Sequence, residues 1–428
     1  MDKLAHNEVI SLLLQISVML GFGRIMAEIF RGLKQPAVVG EILAGIILGP
    51  TILGMTFPEF SANLFPQQGP AAFALDGFVQ MAVILLLFIA GLEVELHIVW
   101  QQGKQALLTS LFGLLIPLAI GFAATYFFPE FFNVENDNQR VVFALFIGTV
   151  LAITALPVIA RVLMDLGLFK SHLGMLIIAS AMINDLLGWL IFTIILSMMG
   201  SGAGMSVGQT MLLTIGFALG MLTFGRGLVN AALPWVNRKL SWPGGVLSIS
   251  LVICLLGAAF TEAIGIHAIF GAFIIGVVVG DSKHFTERAK EILHHFINNI
   301  FAPLFFVSIG LYINFLESFD IGLVLAIIVL AFLGKVTGAF IGARIAGISQ
   351  ARALAVGFGM NTHGTLEVIL GSIALEEGLI NQEVFVAILV MVVFTIMTSS
   401  PLMKYCMKLE ASAQPEPSKL VSPEERPI

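Results

Sequence analysis

Lys170 to Met199 reads KSHLGMLIIASAMINDLLGWLIFTIILSMM. Past His172 the run is apolar, with one acid in it, Asp185, fifteen residues beyond Lys170. A helix rises about 1.5 Å per residue, which carries Asp185 to the middle of a hydrocarbon layer about 30 Å thick. A carboxylate at that depth is costly unless paired or hydrated, so it is functional by default. The stretch therefore reads as a membrane-spanning helix built around one acid.

The rest of the chain has the same character. Of 428 residues, 58% are hydrophobic and 11% charged, against about 25% charged in an average soluble protein. That balance excludes an ordinary soluble enzyme and a disordered protein. With 21 Lys+Arg against 27 Asp+Glu, there is no basic excess to hold nucleic acid. Cys254 and Cys406 are the two cysteines, too few for a disulfide framework. No zinc-hydrolase helix or serine-nucleophile elbow is present, so the reading is a transporter and not an enzyme, with no cofactor.

Thirteen apolar segments of spanning length run from one centred at Ile16 to one centred at Phe394. The predicted fold class is an all-α polytopic membrane protein. The first segment lacks the basic start and small-residue cleavage site of a signal peptide. With the N-terminus outside, 18 basic residues fall on the inner side, Lys3 and Arg140 fall outside, and Lys335 stands within a span. That bias predicts an outside N-terminus and a cytosolic C-terminus. Residues 1–408 form the transmembrane domain, and residues 409–428, rich in Pro, Glu and Ser, read as a disordered cytosolic tail.

The halves share a pattern. Gly40–Gly49 reads GEILAGIILG and Gly271–Gly280 reads GAFIIGVVVG, with glycine at the same three offsets. Phe88–Leu92 (FIAGL) and Val307–Leu311 (VSIGL) follow in the same order. Small residues also serve ordinary helix packing. The matching order instead predicts two inverted repeats, at about 8–199 and 243–408, joined by a linker helix at about 208–235. That is the build of many secondary transporters.

Two spans are interrupted at corresponding places. Segment five carries Thr154-Ala155-Leu156-Pro157, where proline removes a donor and disfavours helix before it. Segment twelve carries Gly359-Met360-Asn361-Thr362-His363-Gly364-Thr365. Two ordinary kinks would look similar, but paired interruptions point to a midplane site. Lys335 lies fifteen residues beyond Asp320, also at mid-depth. It either pairs with Asp185 to hold helices together or belongs to the site. Asn184 and Ser180 add neutral oxygens suited to small hard cations. Glu41, His363 and Glu367 are candidate pathway residues, with helix packing the alternative for the last two. Glu93 and Glu95 read as an inner-side, solvated pair, and His294-His295 as an exposed inner loop or helix start. Arg161 with Asp165 reads as an inner-surface pair, and His267 as packed or outward-facing.

Several stretches resemble the monovalent cation:proton antiporter-2 family, which includes NapA-like, Kef-type and CHX-like proteins. They are Pro36–Pro50 (PAVVGEILAGIILGP), Leu86–Leu96 (LLFIAGLEVEL), Thr154–Leu163 (TALPVIARVL), Ala181–Trp189 (AMINDLLGW), Pro303–Ile313 (PLFFVSIGLYI) and Asn361–Glu367 (NTHGTLE). The resemblance covers about residues 8–408. It implies an NhaA/NapA-like fold with two crossing broken helices, a homodimer, and a six-helix core that moves against a dimerisation domain. It implies Na+ or K+ exchanged for H+, and places the protein in a bacterial inner membrane. By the same resemblance Asp185 is the shared site for the monovalent cation and the proton, Lys335 is the family's midplane lysine, and Thr154 marks the first crossing point. The chain departs from the NapA-like pattern of two adjacent aspartates by carrying Asn184 before Asp185. Asn184 carries no proton and cannot ion-pair with Lys335, which argues for electroneutral exchange. Lys335 is then left either touching Asp185 or bonded to neutral groups. A Kef-type efflux system or channel, and a sodium-coupled symporter, are the competing readings.

Overall fold

The computed structural model describes residues 5–33, 35, 37–66, 68–94, 96–134, 137–199, 207–311 and 313–413. The described residues fold into helices α1 (His6–Gly32), α2 (Ala37–Leu48), α3 (Pro58–Leu64), α4 (Pro70–Leu92), α5 (Leu96–Phe127), α6 (Arg140–Ala152), α7 (Leu156–Asp165) and α8 (His172–Met198). The chain continues with α9 (Val207–Gly220), α10 (Arg226–Lys239), α11 (Gly244–Ala263), α12 (Ala268–Gly280), α13 (Glu287–Phe296) and α14 (Ala302–Leu311). It ends with α15 (Ile321–Ala331), α16 (Thr337–Ile345), α17 (Gln350–Met360), α18 (Thr365–Glu376) and α19 (Gln382–Ala413). π-helical turns at Pro50–Gly54, Met221–Gly225, Ile297–Phe301 and Phe332–Val336 punctuate these helices. The expected tail falls largely on residues 414–428, outside the described residues.

Local chemistry sets the boundaries. Proline opens α3, α4 and α7, where its missing N–H has no intrahelical partner to lose. Asp320 caps α15 by accepting from the Gly322 and Leu323 amides at 2.7 and 3.0 Å. Ser171 caps α8 through the Gly174 amide at 3.0 Å. Each satisfies amides that the first turn leaves free.

Among the described residues, ten helical stretches are long and apolar enough to cross a membrane. The protein is thus an integral membrane protein. At the other three expected places stand the short α12 and two interrupted pairs, α6 with α7 and α17 with α18. Large hydrophobics lie outside as well as inside. Leu13, Ile25, Leu212, Phe224 and Leu256 are all exposed, as lipid-facing positions should be.

Close helix contacts explain the repeated glycines. A Cβ at Gly45 would meet the Val307 carbonyl oxygen, and one at Gly49 the Gly310 carbonyl oxygen. These two positions seat α2 directly on α14. In the second half, a Cβ at Gly276 would meet the Phe88 carbonyl oxygen, and one at Gly280 the Leu92 carbonyl oxygen. Those seat α12 on α4. Gly40 abuts the Met26 carbonyl of α1, while Gly271 abuts the Gly257 carbonyl of α11. Every contact of one motif therefore has a counterpart in the other, with the partner helices exchanged. With no side chain between them, the backbones approach as small-residue packing in membranes allows.

Candidate functional site

The two interruptions meet. Helix α6 ends at Ala152, and the chain runs extended through residues 153–155 before α7 begins. Helix α17 ends at Met360, and α18 starts at Thr365. The Ala155 amide donates to the Thr362 carbonyl at 2.7 Å. The Thr154 hydroxyl donates to the Met360 carbonyl at 2.9 Å. The breaks are thus hydrogen-bonded to each other, and the four half-helix ends converge. Gly364 permits the approach, since a Cβ there would stand 2.7 Å from the Ala155 Cβ.

Lys335 lies in the π-helical turn Phe332–Val336 and is fully buried. Its ammonium donates to the Gly113 carbonyl at 3.1 Å and to the Ala152 carbonyl. Both oxygens are freed by helix defects. Pro117 lies inside α5 and has no N–H to return to Gly113 four residues back. Ala152 is the last residue of α6, so its helix ends before an amide can reach it. The third acceptor is Asn184. Its amide is assigned so that the nitrogen donates to the Ser110 hydroxyl and carbonyl at 2.5 and 3.0 Å, and the oxygen accepts from Lys335 at 2.8 Å. The opposite orientation would set two donors face to face. Three acceptors match the three donors of an ammonium. Lys335 is thus bonded to neutral groups, the second of the two alternatives that Asn184 leaves open.

Asp185 is 3% exposed, and its Oδ1 has no hydrogen-bond partner. Glu367 and His363 are fully buried on the second break. Glu367 Oε2 accepts from the Gly364 amide at 2.6 Å, at the amide end of α18, while its Oε1 has no partner. The His363 ring Nε2 stands 3.5 Å from the Leu151 carbonyl, and Nδ1 is without a partner. Neither amide atom of Asn361 has one. Asp185 and Glu367 lie within Coulombic reach of each other and of Lys335. Buried polar atoms are normally satisfied, and here unsatisfied ones cluster where two broken helices cross.

The transmembrane sodium/hydrogen exchanger family matches residues 17–405 of the chain. The chain belongs to that family. Its similarity to the Na(+)/H(+) antiporter NhaS4 of Synechocystis sp. is 32% identity over 92% of this chain and 97% of the relative. The Na(+)/H(+)-K(+) antiporter GerN of Bacillus cereus is 29% identical over 91% of this chain and 95% of its own length. Among longer relatives, the K(+)/H(+) antiporter 1 of Saccharomyces cerevisiae is 30% identical over 87% of this chain. This exchanger-family chain spans about half the length of its yeast and plant relatives. Its fold matches that of a sodium proton antiporter from Methanocaldococcus jannaschii with a TM-score of 0.68 at 18% identity, covering 95% of this chain and 99% of the other.

Within this exchanger fold, the remaining candidates divide. Ser180 donates to the Leu176 and Ala106 carbonyls at 2.8 and 3.3 Å. It ties α8 to α5, and Ser110 is the hydroxyl that meets Asn184. Glu41 is 5% exposed with an unpartnered Oε2, but the charges in its reach are Arg31 and Arg24 of α1. Glu93 ends α4 and faces His294 Nδ1 at 3.7 Å, both half-buried, while His295 is exposed. His294 thus lies on α13 and not in a loop. His267 caps α12 through the Ile269 amide at 3.5 Å. Glu95 and the side chains of Arg161 and Asp165 lie outside the described residues. Ser110, Gly113 and Pro117 are residues around the candidate site that the sequence reading does not single out. The available signal was a stripe on α5, where Ala106, Ser110, Gly113 and Pro117 recur at helical spacing.

Proposed function

We propose that this protein exchanges a monovalent cation, Na+ or K+, for H+ by alternating access, with both ions competing for Asp185. The observation that carries this reading is the division of labour at the crossing. Lys335 has all three donors occupied by neutral oxygens, whereas Asp185 Oδ1 has no partner. The acid is the group free to take up and release an ion.

Protonated or cation-bound, Asp185 contributes no net charge. Empty, it leaves an anion at mid-bilayer, which opposes crossing. One proton then returns for each cation, and exchange is electroneutral. Thr154 at the first break and Asn184 beside Asp185 supply neutral oxygens that suit a small hard cation. The named activities of the relatives, Na(+)/H(+) and K(+)/H(+) exchange, support the ion class.

The paired glycine contacts support two inverted repeats at about 8–199 and 243–408 with a linker near 208–235. The basic residues support an outside N-terminus. Two inner-side ion pairs, Arg226–Asp281 at 2.6 Å and Arg352–Glu410 at 2.5 Å, fit that orientation. The family resemblance supports a homodimer. In proteoliposomes with a pH-sensitive dye, Asp185→Asn is expected to abolish cation-driven proton movement. Exchange retained in that variant would overturn the reading.

A further inference from the structure

The exchange at Asp185 leaves one buried acid of the crossing without a task. Glu367 lies in the first turn of α18 and is fully buried. One carboxylate oxygen is anchored on the Gly364 amide at 2.6 Å. That oxygen sits at the positive end of a half-helix, the end whose dipole complements an anion. Lys335 holds the complementary position at the carbonyl end of α6, where the dipole favours a cation.

Among the described residues, the charged groups around Glu367 are few. Lys335 and Asp185 lie within its Coulombic reach. His363 lies within reach of Lys335, and Glu93 within reach of Asp185. Helices α6 and α19 pack against α18. Neither carries an Asp, Glu, Lys, Arg or His between Val141 and Ala152 or between Val384 and Met403.

Lys335 is the one cation of this inventory, and Glu367 and Asp185 are the two acids that reach it, so the charge count is taken over these three. Asn184 supplies no charge, so Lys335 and a loaded Asp185 alone would leave the site at plus one in both crossing states. An ionised Glu367 brings both states to zero. We propose that Glu367 is the fixed counter-charge of Lys335, a positioning residue that keeps the loaded site neutral while Asp185 alone changes its ion. The second acid comes from the other broken helix instead of the neighbouring residue. It is not hydrogen-bonded to the ammonium, whose donors are occupied by carbonyl and amide oxygens. The proposal rests on Asp185 being the exchange site.

The test is charge compensation in proteoliposomes, with the thermal midpoint and elution profile of each variant recorded alongside. Glu367→Gln and Lys335→Gln are each expected to slow exchange about a hundredfold, the rate cost of one net charge at mid-bilayer. The double variant Glu367→Gln/Lys335→Gln removes both charges and is expected to recover at least several-fold over either single. Glu367→Asp keeps the charge and is expected to retain most of the rate. A folded double variant no faster than its slower parent would overturn the proposal. So would Glu367→Asp as slow as Glu367→Gln. A wild-type exchange driven by an imposed potential, lost in Glu367→Gln, would make Glu367 a carried-proton site and also overturn it. Exchange surviving in Asp185→Asn would overturn the assigned function and the counter-charge with it, whereas failed compensation with exchange lost in Asp185→Asn would overturn the counter-charge alone.

Discussion

Replacing Lys335 by methionine would strand three buried oxygens, those of Gly113, Ala152 and Asn184. At about 1–3 kcal/mol for each unsatisfied buried group, the gross loss is about 3–9 kcal/mol. Removing a buried ammonium also relieves several kcal/mol of desolvation, so the single variant is a blunt measure. Pro117→Ala sharpens it, because alanine returns the N–H that Gly113 lacks. In the Lys335→Met background the new helical bond satisfies a stranded carbonyl. In the wild type that carbonyl is already bonded at 3.1 Å, so the same substitution gains little. Any packing lost where Pro117 meets Gly334 occurs in both backgrounds and cancels. The expected coupling is about 1–3 kcal/mol, with about 0.6 kcal/mol as a floor set by typical hydrogen bonds inside membrane proteins. Thermal unfolding in detergent, followed by the fluorescence of the four tryptophans, measures it. Pro117→Ala should shift the midpoint more favourably in the Lys335→Met background than in the wild type. Equal effects of Pro117→Ala in both backgrounds would refute the claim that Lys335 stands in for the missing N–H.

Other consequences follow from the same contacts. Gly45→Ala and Gly276→Ala each push a methyl group into a carbonyl oxygen of the facing helix, and both should lower the unfolding midpoint by similar amounts. Gly216→Ala, with nothing within 4 Å, should not, and a midpoint drop there comparable to the other two would count against backbone contact as the cause. Ser110→Ala removes one partner of the Asn184 amide, about 1 kcal/mol, and should weaken apparent cation affinity about fivefold in a concentration series. An unchanged affinity would separate the Ser110 network from the ion site. A potassium–valinomycin potential imposed on wild-type proteoliposomes should leave the rate of Na+-driven exchange unchanged, and acceleration would exclude one-for-one exchange.

Much of this was legible in the chain. Apolar runs located the spans because the bilayer fixes their length, and the stretches TALP and NTHG located the breaks because proline and flanking glycines interrupt helices. Asp185 and Lys335 were found by depth alone. Their partners were not, because two of the three oxygens on Lys335 belong to backbone carbonyls, which no letter of the sequence denotes. Pro117 reads as one more kink until Gly334 and Lys335, more than 200 residues away, are seen against it. Ser180 shares a helical face with Asn184 in the sequence, but no spacing shows that its hydroxyl turns to the Leu176 and Ala106 carbonyls. Glu367 and His363 could be placed on a broken helix but not assigned a direction. Only the crossing brings Glu367 within reach of Asp185 and His363 within reach of Lys335, and only the fold shows that the charges near Glu41 belong to α1.

The bonds that join the two breaks are almost independent of side-chain identity. Ala155 contributes an amide, and Thr362 and Met360 contribute carbonyls. Apart from a hydroxyl at 154 and the exclusion of proline at 155, nothing in them constrains which residues stand there. The crossing can therefore be inherited while the oxygens and shapes around it drift. A lineage could retune which ion it prefers by substitutions at the lining positions, one at a time, without dismantling the joint that makes transport possible.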